Sequence, residues 1–195
     1  MKENLEELSR LALSLGASEA HSLSTAEIKV DDHLAVKCIE PMCENYGQSF
    51  SCPPYVGGPD AFRELIKTHN RAIVLRMIVP SQMLLSWERL DVGRVLHELV
   101  ARVESRAKEL GYPGSTGFAG GSCKEIFCQD QLYCQRIEQR ALCRHPELAR
   151  PSMSGYGVDV FRLIESCGWD TNLNEGQNLP ADDQLSWVAG LVLIS

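Results

Sequence analysis

The chain has 195 residues, 44% hydrophobic and 23% charged, with 19 basic against 26 acidic residues and a formal net charge of -7. That size suits one domain with an ordinary core, and the acidic balance argues against a nucleic-acid surface, which needs a basic face. No apolar run approaches the length of a membrane-spanning helix. The amphipathic, acidic start of the chain is unlike a signal peptide, so a cytoplasmic protein with no nucleic-acid and no membrane partner is expected.

Residues 3–15 predict a helix, because Leu5, Leu8, Leu11, Ala12 and Leu15 recur at helical spacing before Gly16. Residues 20–30 read as a strand. Asp31-Asp32-His33 is a turn signal, and Leu34 to Val36 reads as a short second strand delivering Cys38. Residues 38–58 form an irregular loop with three cysteines, Pro41, Pro53, Pro54, Gly47, Gly57 and Gly58. Ordering such a loop costs roughly 1–2 kcal/mol of backbone entropy per residue, and a metal centre inside it would supply the ordering.

Pro59 suits a first helical turn, with Phe62, Leu65 and Ile66 on the apolar face. Ala72 to Val79 is an almost unbroken apolar run and reads as a central strand. A long helix from about Leu90 follows, with Val92, Val95, Leu96, Leu99, Val100, Val103, Ala107 and Leu110 inward and Gly111 as its stop. Gly114 to Gly121 is glycine-rich and contains a short strand feeding Cys123. Residues 157–167 read as a helix with Val158, Phe161, Leu163 and Ile164 inward, 169–184 as a polar loop, and Trp187 to Ile194 as a last strand. Together these predict one compact α/β (or α+β) domain over 1–195, with one mixed sheet, helices and two cysteine-rich loops. The apolar strand 187–194, if at a sheet edge, would make a homodimer interface; it is equally at home in a core.

Seven of the eight cysteines cluster. Cys38, Cys43 and Cys52 are spaced C-x4-C-x8-C, and Cys123, Cys128, Cys134 and Cys143 are spaced C-x4-C-x5-C-x8-C. In a reducing compartment such thiols are ligands or catalysts rather than disulfides. Thiolate-only donor sets select zinc or an iron–sulfur cluster. Structural zinc takes two close cysteine pairs, which the 123–143 segment lacks, and a wide cubane suits its loose wrap better. The three-cysteine group leaves a fourth position to Cys167, His33, Asp31, a water or a substrate. A closed four-cysteine site suits electron transfer or stability, and an open one suits direct binding of a reactant. Ligands of both groups mixing around one centre is the alternative arrangement.

The motifs Cys38-x4-Cys43-x2-Tyr46-Gly47, Ser51-Cys52-Pro53-Pro54, Gly120-Gly121-x-Cys123, Cys143-Arg144-His145-Pro146 and Arg150-Pro151-Ser152-Met153-Ser154-x-Tyr156-Gly157 resemble a family of cysteine-rich, predicted metal-binding prokaryotic proteins, mainly from anaerobes and of unknown function. The resemblance runs from about residue 20 to 194 and implies metal without naming a reaction. The family's second group is tighter, close to C-x2-C-x2-C-x5-C. The longer gaps here place Cys123 and Cys143 ahead of Cys128 and Cys134 as ligands.

Other residues have ordinary readings beside functional ones. Arg144 and His145 either donate to cluster sulfurs or are polar loop residues. Cys167 reads as a buried inert thiol. The Gly114–Gly121 run lacks a G-x4-G-K-[ST] pattern and a following helix, so it does not mark a nucleotide site. No catalytic triad is present, and the chemistry rests on thiols. The leading expectation is a [4Fe–4S] protein of anaerobic metabolism, with one cluster or two, that serves electron transfer or reduction for a redox partner protein. The alternatives are an enzyme binding substrate at the three-cysteine centre, for sulfur transfer or small-molecule activation, and a zinc-stapled interaction module.

Overall fold

The structure is a computed structural model and describes residues 2–39, 42–175 and 180–195. Pro41 of the first cysteine loop and positions 176–179 of the polar loop lie outside the described residues. Four strands, β1 (Glu19–Ser24), β2 (Arg71–Pro80), β3 (Thr116–Phe118) and β4 (Leu185–Ile194), form one sheet in the order β1-β2-β4-β3. All strand pairs are antiparallel, so of the two expected classes the fold is α+β, and the sheet is antiparallel rather than mixed. β2 and β4 pair over their full length, from Arg71 opposite Ile194 to Pro80 opposite Leu185.

Alternation along the two long strands builds two apolar layers. Ile73, Leu75, Val192 and Ile194 face α1 (Lys2–Ser14) and the long helix α5 (Arg89–Glu109). Ala72, Val74, Leu191 and Leu193 face the opposite layer, which holds Phe62 of α3 (Gly58–Thr68) and Leu163 and Ile164 of α8 (Val160–Ser166). A strand covered on both faces needs an apolar residue at every position, which is why these two read as unbroken runs. The 187–194 strand is interior from Leu191 to Leu193, where it lies between β2 and β3, rather than at a sheet edge. The one buried cation of β2, Arg76, lies opposite Glu19 of β1 and is ion-paired with it.

Helix α5 sits unusually close to the sheet. A Cβ on Gly190 would lie 2.4 Å from Val100 Cγ2, and one on Gly117 would lie 2.6 Å from Val100 Cγ1. Two glycines on adjacent strands therefore admit one valine of the helix.

Several expectations change. Leu34 to Val36 belongs to a helical turn, α2 (Asp32–Val36), rather than a strand. The Asp31 carboxylate accepts the His33 N–H at 2.8 Å, so the acidic turn signal caps a helix start. The strand begun at 20 stops at Ser24, where a Ser24–Glu27 capping box bends the chain into a 3-10 turn. Phe161 and Val95 are exposed rather than inward; Phe161 instead meets Trp187 edge-on, with ring centres 5.2 Å apart. Three short helices, α4 (Ser81–Leu85), α6 (Cys123–Phe127) and α7 (Gln135–Glu138), were not expected, and α6 follows the glycine-rich run. Each is too short to show a repeating apolar face. No helix among the described residues is long and apolar enough to cross a membrane.

Gly190→Ala is expected to destabilise the protein by about 1–3 kcal/mol through overpacking against Val100. Chemical denaturation should show a lower midpoint with an unchanged slope. An unchanged midpoint would mean that the helix can move off the sheet freely.

Candidate metal centre

Both cysteine loops are held by the segment Pro151–Asp159. The Ser152 N–H donates to Ser51 O (2.9 Å) in the first loop. The Ala119 N–H donates to Pro151 O (2.9 Å) and the Met153 N–H to Ala119 O (3.0 Å), which ties the same segment to the chain leaving β3 toward Cys123. Asp31 and Asp159 close the far end, through Asp31 N–H to Gly157 O (2.8 Å) and Asp159 N–H to Lys29 O (2.9 Å). Gly157 has φ +72, and a Cβ there would lie 2.7 Å from Asp31 O, so the motif glycine is required by this close approach.

The first group comes together. Cys38, Cys43 and Cys52 line one cavity of about 140 Å³, whose remaining wall includes Tyr46, Gly121, Ser122 and Ser154. Burial raises the Cys38 thiol, and the neighbouring Cys43 and Cys52 raise it further. Cys167, His33 and Asp31, the suggested fourth ligands, are elsewhere. His33 and Asp31 line a surface depression with Arg63. Cys167 packs among core residues near Glu27, Arg76 and Glu19, and burial pushes its thiol up to about 12, as suits an inert group.

The second group is looser. Cys123 and Cys143 line a cavity of about 290 Å³ between the two loops, together with Phe50, Tyr55, Arg136 and Arg150. Burial pushes the Cys123 thiol up to about 11, against the pull of hydrogen bonds from Ser51 and Ser49, while nearby Cys143 and Cys52 raise it. Cys128 is raised by burial and by its neighbours Cys143 and Cys134, and lowered by Arg144 and Lys124. Cys123 and Cys128 thus share Cys143 as a neighbour, and the Cys123 N–H reaches Ser51, the residue before Cys52. The Lys124 ammonium pins the loop through Cys128 O (2.9 Å) and Gln131 O (2.6 Å), and Arg136 lies 4.0 Å over the Phe50 ring, joining the loops. Arg144 donates to Tyr133 O (3.2 Å), and the donor to sulfur is the His145 backbone N–H, 3.4 Å from Cys143 Sγ.

Three buried serines lie where the groups meet. Ser49 and Ser51 are 3.0 Å apart, Ser122 donates to Ser49 (3.3 Å), and the Cys123 N–H donates to Ser51 (3.4 Å). Sequence reasoning missed them, although serines flanking both Cys52 and Cys123 were a visible signal. It also missed the polar residues of α5. His97 is fully buried: its Nδ1 accepts the Arg150 N–H (3.0 Å), which fixes the tautomer, and Nε2–H donates to Gly120 O (3.1 Å). Glu104 accepts from Arg150 Nε (2.5 Å) and from the Gly117 N–H (3.1 Å). One helix therefore fixes the approaches to both Cys123 and Ser152.

An antiparallel α+β scaffold presenting two groups of free thiols defines a cysteine-rich metal-binding class of protein. The sequence over residues 21–194 matches the family described as "Predicted metal-binding protein (DUF2284)", and the chain belongs to that family. No curated protein and no solved structure matches it.

The donor chemistry fits a metal. Seven clustered free thiols suit a soft, thiophilic centre, and among the described residues neither thiol-lined cavity has a carboxylate in its wall. The three-thiol cavity is several times the roughly 30 Å³ share of one water in the liquid, more room than a single ion needs. Among the described residues no three His, Cys, Asp or Glu side chains converge at coordinating distance. The thiols are therefore gathered but not closed, as expected where binding itself completes the site.

Burial, with a smaller contribution from Arg150, lowers His97 to about 4. The folded protein keeps it neutral while the unfolded chain takes up a proton near pH 6.5. Its contribution is therefore full above about pH 6.5 and lost progressively as pH falls to 4, amounting to about 3 kcal/mol. Urea titrations from pH 7 to 4 should show that fall, and His97→Gln should flatten it. Equal slopes in both proteins would remove His97 from the account.

Proposed function

We propose that the protein is a [4Fe–4S] iron–sulfur protein of anaerobic metabolism. In this reading Cys123, Cys128, Cys134 and Cys143 hold a closed cluster, and Cys38, Cys43 and Cys52 hold a second centre with one open position. The observation that carries the reading is the three-thiol cavity, which has more room than one ion needs and no fourth thiol in its wall. A thiolate-bound cluster supplies one-electron chemistry when bound. The chain's own residues supply the rest. The His145 N–H points a hydrogen bond at the Cys143 sulfur, and the Ser49 and Ser51 hydroxyls lie beside Cys123, the kind of surroundings that tune such centres. Ser51 precedes Cys52 and accepts the Cys123 N–H, which supports a reading in which the two groups are neighbours and electrons from a redox partner protein in the cytoplasm pass between them.

Protein purified without oxygen is expected to be brown, with acid-labile sulfide and about eight irons per chain. Cys52→Ser should lose about half the iron and Cys134→Ser the other half, with the fold retained by circular dichroism. If either substitution removes all of the iron, one shared centre replaces the two proposed. A colourless protein holding zinc and no sulfide would overturn the redox reading and favour a zinc-stapled module.

A further inference from the structure

The sheet opens where β3 leaves β4. Pairing ends at Phe118 opposite Leu191. One residue later Ala119 turns to Pro151 and Met153 for its hydrogen bonds, and Gly120 O is taken by His97. β4 continues alone on that side for another six residues, 185–190, still paired to β2 on the other. The direction of its free groups follows from the ladder. Gln184 O accepts from Ser81 on the β2 side (2.8 Å), whereas Leu185 turns both backbone groups to the Asn174 amide on the other (2.9 and 2.8 Å). Strand backbone groups alternate in direction, so Trp187 and Ala189 present their N–H and C=O to the opening. Among the described residues neither has a partner there.

The opening is a cavity of about 630 Å³, within the size range of small-molecule sites. Leu90 and Leu96 of α5, Ile126 of α6 and Val160 of α8 give it apolar walls. Its charged wall groups, Arg89 and Glu125, are paired with each other at 2.7 Å, so it offers no free charge to a ligand. Gly121, Ser122 and Ser154 wall this cavity on one side and the three-thiol cavity on the other.

We infer that this wedge binds the substrate of the three-cysteine centre, a neutral, flat, largely apolar organic molecule with an amide-like edge that pairs with Trp187 and Ala189. The apolar body replaces water along the walls, and the donor–acceptor edge satisfies strand groups that are otherwise unpaired. A charged ligand would be desolvated there without a counter-ion. The role given to the ligand rests on the two-centre reading; the binding site does not.

The probe is 2-naphthamide, with naphthalene-2-carboxylate as the charged control. In the anaerobically purified protein the amide should bind saturably, at least about tenfold tighter than the carboxylate. It should slow hydrogen exchange of the Trp187 and Ala189 amides by about tenfold or more. Val160→Trp, which fills the wedge from its rim, should abolish binding. Absence of saturable binding, protection of other amides instead, or equal binding by the folded variant would overturn the inference, and the wild-type exchange data decide it should the variant not fold. The amide should also perturb the visible spectrum of the iron-loaded protein. Protection at Trp187 and Ala189 with an unchanged spectrum would overturn the link to the three-thiol site, while the iron–sulfur reading stands on its iron content. The same protection in a protein that takes up no iron would overturn the iron–sulfur reading and keep the wedge as a binding site.

Discussion

The short run of hydrogen bonds at Pro151–Met153 is the constraint on which the rest of the site depends. It joins Ser51 of the first loop to Ala119 at the entrance of the second. Neither loop has much regular structure of its own, and ordering a residue costs about 1–2 kcal/mol of backbone entropy. Anchoring both to one segment makes them a single unit. That segment is fixed in turn by α5, through His97 on the Arg150 N–H and Glu104 on the Arg150 guanidinium. Glu104 and Arg150 are both nearly buried, and loss of Glu104 would be costly because it leaves the Arg150 guanidinium without its counter-ion, whereas Glu104 itself is also paired with Lys108. The order of support therefore runs from sheet to helix, helix to segment, and segment to thiols.

The same bonds explain why the sheet is incomplete. Continued pairing of β3 with β4 would set Gly120 opposite Ala189 and Ser122 opposite Trp187, extending the observed register. Instead Ala119 and Gly120 are bound to the 151–153 segment and to His97. The bonds that carry Cys123 toward the first loop are those that strip β4 of its neighbour. Site and wedge are consequences of one departure from regular pairing, which is why they share the Gly121–Ser122 wall.

The fold was legible in the sequence where burial repeats over several periods. The 72–79 and 187–194 runs and the helix beginning near Leu90 each impose an apolar pattern long enough to identify an element and its face. The elements that escaped, α2, α4, α6 and α7, are five residues or fewer, and caps or local turns decide them. Of the site, the grouping of Cys38, Cys43 and Cys52 was legible because the three lie on one short loop. The supporting polar residues were not. Within α5, His97 and Glu104 read like residues of a solvated helix face; only the tertiary arrangement brings Gly120, Gly117 and Arg150 to them. The wedge was equally hidden, since it is made by a strand ending early and no residue type marks that.

The thiols themselves show how folding and metal binding are divided. The buried cysteines, Cys52 and Cys123, lie beside the Ser49–Ser51–Ser122 cluster, in a part of the site that protein hydrogen bonds already fix. The remaining five ligand candidates are half-buried and sit on segments held mainly by local turns. Burial disfavours the thiolate that a metal requires, and raises Cys123 most clearly among the ligand candidates. A cation arriving there reverses that preference, because the ligand becomes the charged partner of a charge rather than an isolated one. At Cys123 a metal must therefore displace a tightly held proton, and the half-buried thiols on the looser segments complete the site around whatever centre binds.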